Sequence, residues 1–280
     1  MAHRTQALRL GLEALRARYD QPGALAADPI SAVLAYRDPG DRELAAWVAA
    51  HLAYGRVAPM LGAIRRALEP LGPQPASWLR SRSRAAASRD LAKALRDWVW
   101  RFHTAPDLVA WILAWKDLEA GGGLERHFIP AAGESADWAL SRMIHQLRAG
   151  LPGSYGTRFT LPDPLAGAAC KRWRMFLRWM VRPGWPDLGL WRSLDPAELR
   201  IPLDTHVARV SRFLGLTRRT TADGRMAAEI TEALRSLDPR DPLKYDFALS
   251  HLGILGDCPG VRTLPACGAC PLVDLCRAGD

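Results

Sequence analysis

The sequence lacks any uninterrupted apolar run of about 18 residues, the length expected of a membrane-spanning helix. Its first 20 residues alternate arginine with leucine and alanine, and they contain neither a continuous apolar stretch nor a cleavage site. This pattern is typical of an amphipathic helix and not of a signal peptide. We therefore expect a cytoplasmic protein with no membrane partner.

Strand signals, internal repeats and low-complexity tracts are also scarce. Apolar residues recur instead at helical spacing, and 49% of all residues are apolar, as in a globular protein. We predict an all-α fold in which Pro59 kinks or starts a helix and residues 185–202 form a turn-rich connection. The predicted helices cover residues 41–68, 88–102, 106–120, 135–149, 170–181, 205–214, 221–237 and 243–255.

Lysines are few, yet lysine and arginine together number 38 against 29 aspartates and glutamates, which gives a formal net charge of +9. Such an excess suits a polyanionic partner, and nucleic acid is the usual one. A coding bias toward arginine would produce the same excess. Charge alone therefore leaves both interpretations open.

Cysteine is rare in most of the chain, but four of the five cysteines lie within the last 23 residues. These four are Cys258, Cys267, Cys270 and Cys276. Disulfides are disfavoured in the cytosol, so this crowding predicts metal ligation. Four thiolates complete either a tetrahedral zinc site or a [4Fe–4S] cluster.

The spacing of these cysteines resembles the C-terminal cluster loop of the endonuclease III branch of the helix-hairpin-helix DNA glycosylases. The resemblance extends to Pro271 and Leu275, within the segment from Cys270 to Cys276. The first gap differs, because eight residues stand here where that branch has six. The resemblance implies a [4Fe–4S] cluster on the four cysteines, with zinc as the alternative.

A second motif, Leu-Asp-Thr-His-Val-Ala-Arg-Val over residues 203–210, contains Asp204. Its position predicts a helix N-cap, because a carboxylate there accepts hydrogen bonds from the free amides of the first turn. The motif also resembles the Val-Asp-Thr-His-hydrophobic-x-Arg-Val element of the same superfamily, whose aspartate is the catalytic carboxylate. The resemblance assigns that role to Asp204, and a simple cap is the alternative.

Lys171 is the best candidate for the lysine that attacks the sugar in bifunctional members of the superfamily. It begins a helix on which Arg174, Arg178 and Arg182 follow at intervals that place all four residues on one face. We expect these three arginines to contact DNA phosphates, together with Arg209 and Arg212 on the following helix. The alternative for the arginines is a solvated face, and the alternative for Lys171 is a solvated or phosphate-contacting side chain.

The hairpin motif that usually precedes this lysine is absent. The chain reads Leu-Pro-Asp-Pro-Leu-Ala-Gly-Ala-Ala-Cys-Lys over residues 161–171, and Asp204 lies 33 positions after Lys171. This longer gap is similar to that of the archaeal 8-oxoguanine glycosylases. The local sequence also resembles an uncharacterised bacterial family of this superfamily, which by itself suggests no substrate.

The resemblance implies two helical lobes with an active-site groove between them. The first lobe is a helical barrel of residues 36–167, and the second combines residues 1–35 with 168–280, including Asp204 and the cluster loop at 257–277. The implied protein is a monomeric base-excision DNA glycosylase with AP-lyase activity, associated with the nucleoid. Its partner is double-stranded DNA containing a damaged base, possible lesions including an oxidised purine.

Three further residues are candidates for contacts with the base or with the gap that it leaves. Asp246 lies where the archaeal class has a base-recognising carboxylate, and a solvated helical aspartate is the alternative. The sequence around Tyr54 and Arg56 resembles the end of the first helix of the superfamily, where a side chain fills the gap left by the flipped base. Core packing is the alternative for Tyr54.

Three other functions remain open at this point. A non-catalytic iron–sulfur protein could recognise distorted DNA and recruit repair factors. A monofunctional glycosylase would use Asp204 to activate water. A zinc-bound helical protein unrelated to repair is the third.

Overall fold

The computed structural model describes residues 2–278 and is mostly helical, which confirms the predicted all-α class. Short 3₁₀ segments of three to six residues connect several of the helices. The helices are α1 (Ala2–Tyr19), α2 (Ile30–Leu34), α3 (Pro39–Leu52), α4 (Val57–Leu68), α5 (Pro75–Arg80), α6 (Arg84–Ala94), α7 (Ala105–Ala120), α8 (Ala136–Gly150), α9 (Tyr155–Thr160), α10 (Lys171–Val181), α11 (Thr205–Leu214), α12 (Gly224–Arg235), α13 (Asp246–Ile254) and α14 (Leu264–Gly268). Among residues 2–278, no helix combines the length and the apolar character that crossing a membrane requires.

Two of the predicted helices differ from the structure. The helix predicted over residues 88–102 ends at Ala94, and a short antiparallel hairpin follows, formed by β1 (Val99–Trp100) and β2 (His103–Thr104). The helix predicted over residues 41–68 is interrupted between α3 and α4, where Gly55 has a φ of 94°. Pro59 lies in the first turn of α4, where backbone N–H groups have no partner within the helix. The N–H that proline lacks therefore costs no helical hydrogen bond at this position.

The buried apolar residues form two separate clusters. The first cluster combines residues from α2 to α10 and centres on large rings such as Trp47, Trp111, Trp173 and Phe176. The second cluster combines α1 with α11, α12 and α13. Removing apolar surface from water stabilises the folded state by about 25 cal/mol per Å². Each cluster therefore makes its own contribution to the free energy of folding.

The boundary between the two clusters differs from the predicted lobe boundary at residue 168. Helix α10 packs against α3, and its rings and the chain as far as Leu199 belong to the first cluster. The second cluster resumes at Ile201. The prediction that residues 168–199 belong to the second lobe is therefore not supported, because α10 is buried on all sides and its apolar face completes the first core.

Helix α1 packs against α13 and against the loop that carries the cysteines. Leu12 and Leu15 belong to the same apolar cluster as Leu272 of that loop. A Cβ atom at Gly11 would lie only 2.8 Å from Cδ2 of Leu272 and 3.0 Å from the carbonyl oxygen of Pro271. The first helix and the last loop therefore approach each other closely.

Candidate active site

A cavity of about 730 Å³ lies where the two hydrophobic clusters meet. Its wall combines Met60 and Met175, which belong to the first cluster, with Leu203, which belongs to the second. Lys171 and Asp204 both line it, although they are 33 positions apart in the sequence. The structure thus brings the predicted amine and the predicted carboxylate to one site.

Lys171 is the first residue of α10. The preceding residue, Cys170, has a φ of 52°, in the left-handed region that few residues other than glycine adopt. The Nζ atom of Lys171 donates a hydrogen bond to the carbonyl oxygen of Ala53 over 3.3 Å. Burial lowers the pKa of Lys171, whereas the negative charges of Asp204 and Asp28 oppose that shift. A helix N-terminus also disfavours a cation, so both effects favour the neutral amine.

Asp204 is the N-cap of α11, as its position in the motif predicts. Its Oδ1 accepts a hydrogen bond from the backbone N–H of Val207 over 2.7 Å. Its charge also acts on Lys171 across the cavity. Capping and facing the amine are therefore compatible roles of one carboxylate, and the catalytic role stays a prediction.

The lysines offer a direct test of this electrostatic environment, because the chain contains only Lys93, Lys116, Lys171 and Lys244. After reductive methylation with ¹³C, the NMR resonance of Lys171 should titrate at lower pH than that of Lys244. Burial lowers the pKa of Lys171. For Lys244, hydrogen bonds with Asp238 and Glu13 outweigh burial and raise the pKa.

The Lys171→Gln variant assigns the resonance by its disappearance. Asp204→Asn should move the Lys171 midpoint to still lower pH, because the negative charge of Asp204 raises this pKa. A Lys171 resonance that titrates above the ordinary lysine value of about 10.4 would contradict the description of a buried amine.

Asp246 is the first residue of α13, and it lines the same cavity. It is buried and forms an ion pair with Arg178 through Oδ2, so the alternative of a solvated helical aspartate is wrong. Burial raises its pKa to about 6, although Arg178 opposes the shift. Its Oδ1 is buried and has no hydrogen-bond partner among the described residues. Such an atom is costly to leave unpaired, which suggests that a ligand donates a hydrogen bond to it.

The prediction that Arg174, Arg178 and Arg182 contact DNA phosphates is contradicted by their position. All three are buried, and each forms ion pairs with carboxylates from distant segments. The pairs are Arg174 with Asp137, Arg178 with Asp187 at 3.1 Å and with Asp246, and Arg182 with Asp241 at 2.8 Å and with Asp187. The spacing correctly placed the arginines on one face, but it could not show that carboxylates cover that face.

The other predicted DNA contacts lie at or near the surface. Arg212 is exposed on α11, and Arg209 is partly exposed and donates a hydrogen bond to the carbonyl oxygen of Cys258 over 3.1 Å. Arg56 is exposed where it lines the cavity. The hydroxyl group of Tyr54 hydrogen-bonds to Nδ1 of His103 over 2.5 Å and lies 3.0 Å from the carbonyl oxygen of Trp100, so this tyrosine is held by packing and hydrogen bonds.

The four C-terminal cysteines line a second cavity of about 40 Å³, and none of them forms a disulfide. Burial raises the pKa of the Cys270 thiol, and the other three cysteines are close enough to contribute to the shift. Within residues 2–278, no three His, Cys, Asp or Glu side chains are gathered tightly enough to hold a metal ion. The donor set still suits a thiolate-bound metal, so the cofactor stays a prediction.

The sequence analysis missed Asp28, which also lines the main cavity. Its Oδ1 accepts a hydrogen bond from the N–H of Ile30 over 2.9 Å, and its Oδ2 lies 3.7 Å from Nε2 of the buried His251. The sequence feature at this position is the pair Asp28-Pro29, and such Asp-Pro pairs are common in ordinary turns. Nothing in the sequence alone distinguishes this aspartate from a turn residue.

A family model described as "Protein of unknown function (DUF2400)" matches residues 28–255, which is more than half of the chain. No curated protein and no solved structure gives a significant match. The matched segment contains Asp28, Lys171, Asp204 and Asp246 and ends before the four cysteines.

Proposed function

We propose that this chain, which belongs to the family described as Protein of unknown function (DUF2400), is a base-excision DNA glycosylase with AP-lyase activity. The proposed partner is double-stranded DNA that contains a damaged base, in the cytoplasm at the nucleoid. One observation carries the proposal: Lys171, whose pKa is lowered by burial, shares a cavity with the carboxylate of Asp204.

The cavity suits a base that has left the helix. Groups of an enzyme cannot reach a sugar or base inside a stacked duplex, so such enzymes extrude the nucleotide into a pocket. A volume of about 730 Å³ lies within the range of about 300–1,000 Å³ that is usual for small-molecule sites. The net charge of +9 favours the approach of DNA.

In the proposed reaction, the neutral Nζ of Lys171 forms a bond to C1′ of the sugar. The glycosidic bond breaks, and its electron pair leaves with the base. Asp204 stabilises the positive charge that develops on the sugar. A proton then moves from Nζ to O4′ as the C1′–O4′ bond breaks, which opens the sugar ring and gives a protonated Schiff base. Removal of a proton from C2′ allows the 3′ phosphate to leave.

Asp246 supports an oxidised purine as the lesion. Its unpaired Oδ1 can only accept a hydrogen bond while the carboxylate is ionised. A purine oxidised at C8 carries an N–H at N7, where guanine has an acceptor. A buried carboxylate accepts a hydrogen bond from the N7–H of the oxidised purine, whereas it repels the lone pair on N7 of guanine.

We also propose that Cys258, Cys267, Cys270 and Cys276 hold a [4Fe–4S] cluster, with zinc as the alternative. The bound metal would tie the C-terminal loop together and supply no step of the base-release reaction. Because three arginines of α10 form ion pairs inside the protein, the proposed phosphate contacts are Arg209 and Arg212. Arg56, which is exposed at the cavity, is proposed to fill the gap left by the flipped base.

The proposal is tested on a panel of duplexes that each contain one lesion. Base release and covalent trapping with borohydride are measured for the wild type, for Lys171→Gln and for the control Lys93→Gln, which replaces an exposed lysine. We expect a trapped adduct with the wild type and the control and none with Lys171→Gln, because only Lys171 lies in the cavity. The same preparation is assayed for metal, with about four iron atoms per chain expected for the cluster.

The alternatives give different results in the same experiment. Base release without a trapped adduct would indicate a monofunctional enzyme in which Asp204 activates water. Binding of damaged duplex without release of any base would indicate a non-catalytic recognition protein. Zinc in place of iron, together with no DNA binding, would indicate a protein unrelated to repair.

A further inference from the structure

Four aromatic side chains form a continuous group beside the main cavity, and we call this group the aromatic platform. Its members are Tyr54, Phe102, Tyr155 and Phe159. Tyr54 and Phe159 line the cavity, whereas Phe102 at the tip of the β-hairpin is 37% exposed and Tyr155 on α9 is 59% exposed. The platform therefore leads from the cavity wall to the protein surface.

The rings of the platform contact one another directly. Phe102 lies 4.9 Å from Phe159, 5.2 Å from Tyr155 and 6.0 Å from Tyr54, measured between ring centroids. The rings of Tyr54 and Phe102 are nearly parallel, with an interplanar angle of 7°. The four side chains thus act as one surface and not as scattered exposed residues.

The hairpin that carries Phe102 is attached to α9 and to Tyr54 by hydrogen bonds and close packing. The ring of His103 bridges the Tyr54 hydroxyl group, at 2.5 Å from Nδ1, and the Thr160 hydroxyl group, at 2.6 Å from Nε2. A Cβ atom at Gly156 would lie 2.5 Å from the carbonyl oxygen of Phe102, so α9 and the hairpin are in close contact. Phe102 is therefore exposed on a hairpin that hydrogen bonds and close packing attach to α9 and to Tyr54.

Arginines accompany the rings along the platform. The guanidinium of Arg172 lies 4.0 Å from the centroid of Phe159, and that of Arg101 lies 5.3 Å from the centroid of Phe102. Arg101 and Arg158 are exposed. Rings for stacking beside exposed cations are the combination by which proteins bind unpaired nucleotides.

We propose that the aromatic platform stacks an unpaired nucleobase of the bound DNA, namely the base that loses its partner when the damaged base enters the cavity. This inference rests on the proposed function, because the cavity must receive the damaged base. Burying the exposed parts of Phe102 and Tyr155 under a base would remove apolar surface from water. The adjacent arginines would face the phosphates on either side of that base.

The test uses a duplex with one 2-aminopurine opposite an abasic-site analogue, compared at one salt concentration with the same duplex fully paired. The wild type should bind the unpaired duplex more tightly and should quench its 2-aminopurine fluorescence. Phe102→Ala and Tyr155→Ala should each lower the affinity for the unpaired duplex about 5- to 100-fold and leave the affinity for the paired duplex nearly unchanged. Phe102→Trp, which keeps a stacking ring, should retain the preference.

The matched control is Trp138→Ala, which removes another aromatic side chain, 56% exposed, from α8 outside the platform. We expect it to bind both duplexes like the wild type. The platform is disproved if Phe102→Ala and Tyr155→Ala keep the wild-type preference, or if they weaken binding to both duplexes equally. Base release by the wild type together with either of these results would disprove the platform alone, whereas a wild type that binds neither duplex would overturn the glycosylase proposal as well.

Discussion

An Asp204→Asn variant should release a damaged base about 10²- to 10³-fold more slowly than the wild type and yet unfold at nearly the same temperature. Asparagine caps a helix about as well as aspartate, so the hydrogen bond to Val207 N–H survives. The negative charge that acts on Lys171 is lost. The positive charge that develops on the sugar then loses the carboxylate that is proposed to stabilise it.

Two further variants separate capping from catalysis. Asp204→Ala should lose the activity and in addition about 1 kcal/mol of stability, because alanine cannot cap. Asp38 caps α3 through hydrogen bonds from Gly40 and Asp41, at 2.9 and 3.2 Å, and does not line the main cavity, so Asp38→Asn should leave the activity unchanged. Single-turnover base release and thermal unfolding are the measurements. A wild-type rate for Asp204→Asn would leave Asp204 with a capping role only.

The second large effect is on stability: Arg178→Met should cost about 3–5 kcal/mol of the free energy of unfolding. Arg178 pairs with both Asp187 and Asp246, and all three side chains are buried. Methionine fills a similar volume without charge. The variant therefore leaves two carboxylates in the interior: Asp187 keeps its ion pair with Arg182, whereas Asp246 keeps no ion-pair partner among the described residues.

The loss of stability in Arg178→Met should also depend on pH. The direction of this dependence follows from the pKa values of the carboxyl groups of Asp246 and Asp187. Burial raises the pKa of Asp246 to about 6 and raises that of Asp187, and Arg178 opposes both shifts. Without Arg178 both values rise further. A carboxyl whose pKa is higher in the folded protein than in the unfolded protein costs stability as pH rises through its folded value. The difference in Tm between wild type and variant should therefore be larger at pH 8 than at pH 5.

Arg212→Met serves as the control, because Arg212 is exposed on α11. We expect its free energy of unfolding to stay within about 0.5 kcal/mol of the wild-type value. Denaturant unfolding at both pH values measures the two variants. Equal stability of Arg178→Met and Arg212→Met would contradict a structural role for the buried ion pairs.

Local signals in the sequence predicted α11 well. Asp204 marked its N-terminus in the sequence, and the predicted range of 205–214 is confirmed. In the structure Gly215 follows the last residue, Leu214, with a φ of 72°, a left-handed conformation that is common at helix ends. The hairpin at residues 99–104 was missed because two-residue strands are too short to show an alternating pattern. The predicted helix over these residues had no competing signal.

Long-range contacts explain the errors at the site. The basic spacing on α10 was visible, but it could not show the carboxylates that pair with Arg174, Arg178 and Arg182. Asp137, Asp241 and Asp246 come from distant parts of the chain, and Asp187 comes from the loop that follows α10. The same burial moves α10 into the first hydrophobic cluster. Lys171 and Asp204 were found because a motif and a helix start pointed to them, whereas Asp28 reaches the cavity only through tertiary folding.

The packing of α1 against the cysteine loop determines which truncated fragments of this protein can fold. Both segments lie outside residues 28–255, the part that matches the family model. Yet Leu12 and Leu15 from one end and Leu272 from the other complete the apolar cluster of α11 and α13. A fragment excised at residues 28 and 255 would leave that cluster open to water on two sides. The autonomous folding unit is therefore larger than the segment that identifies the family.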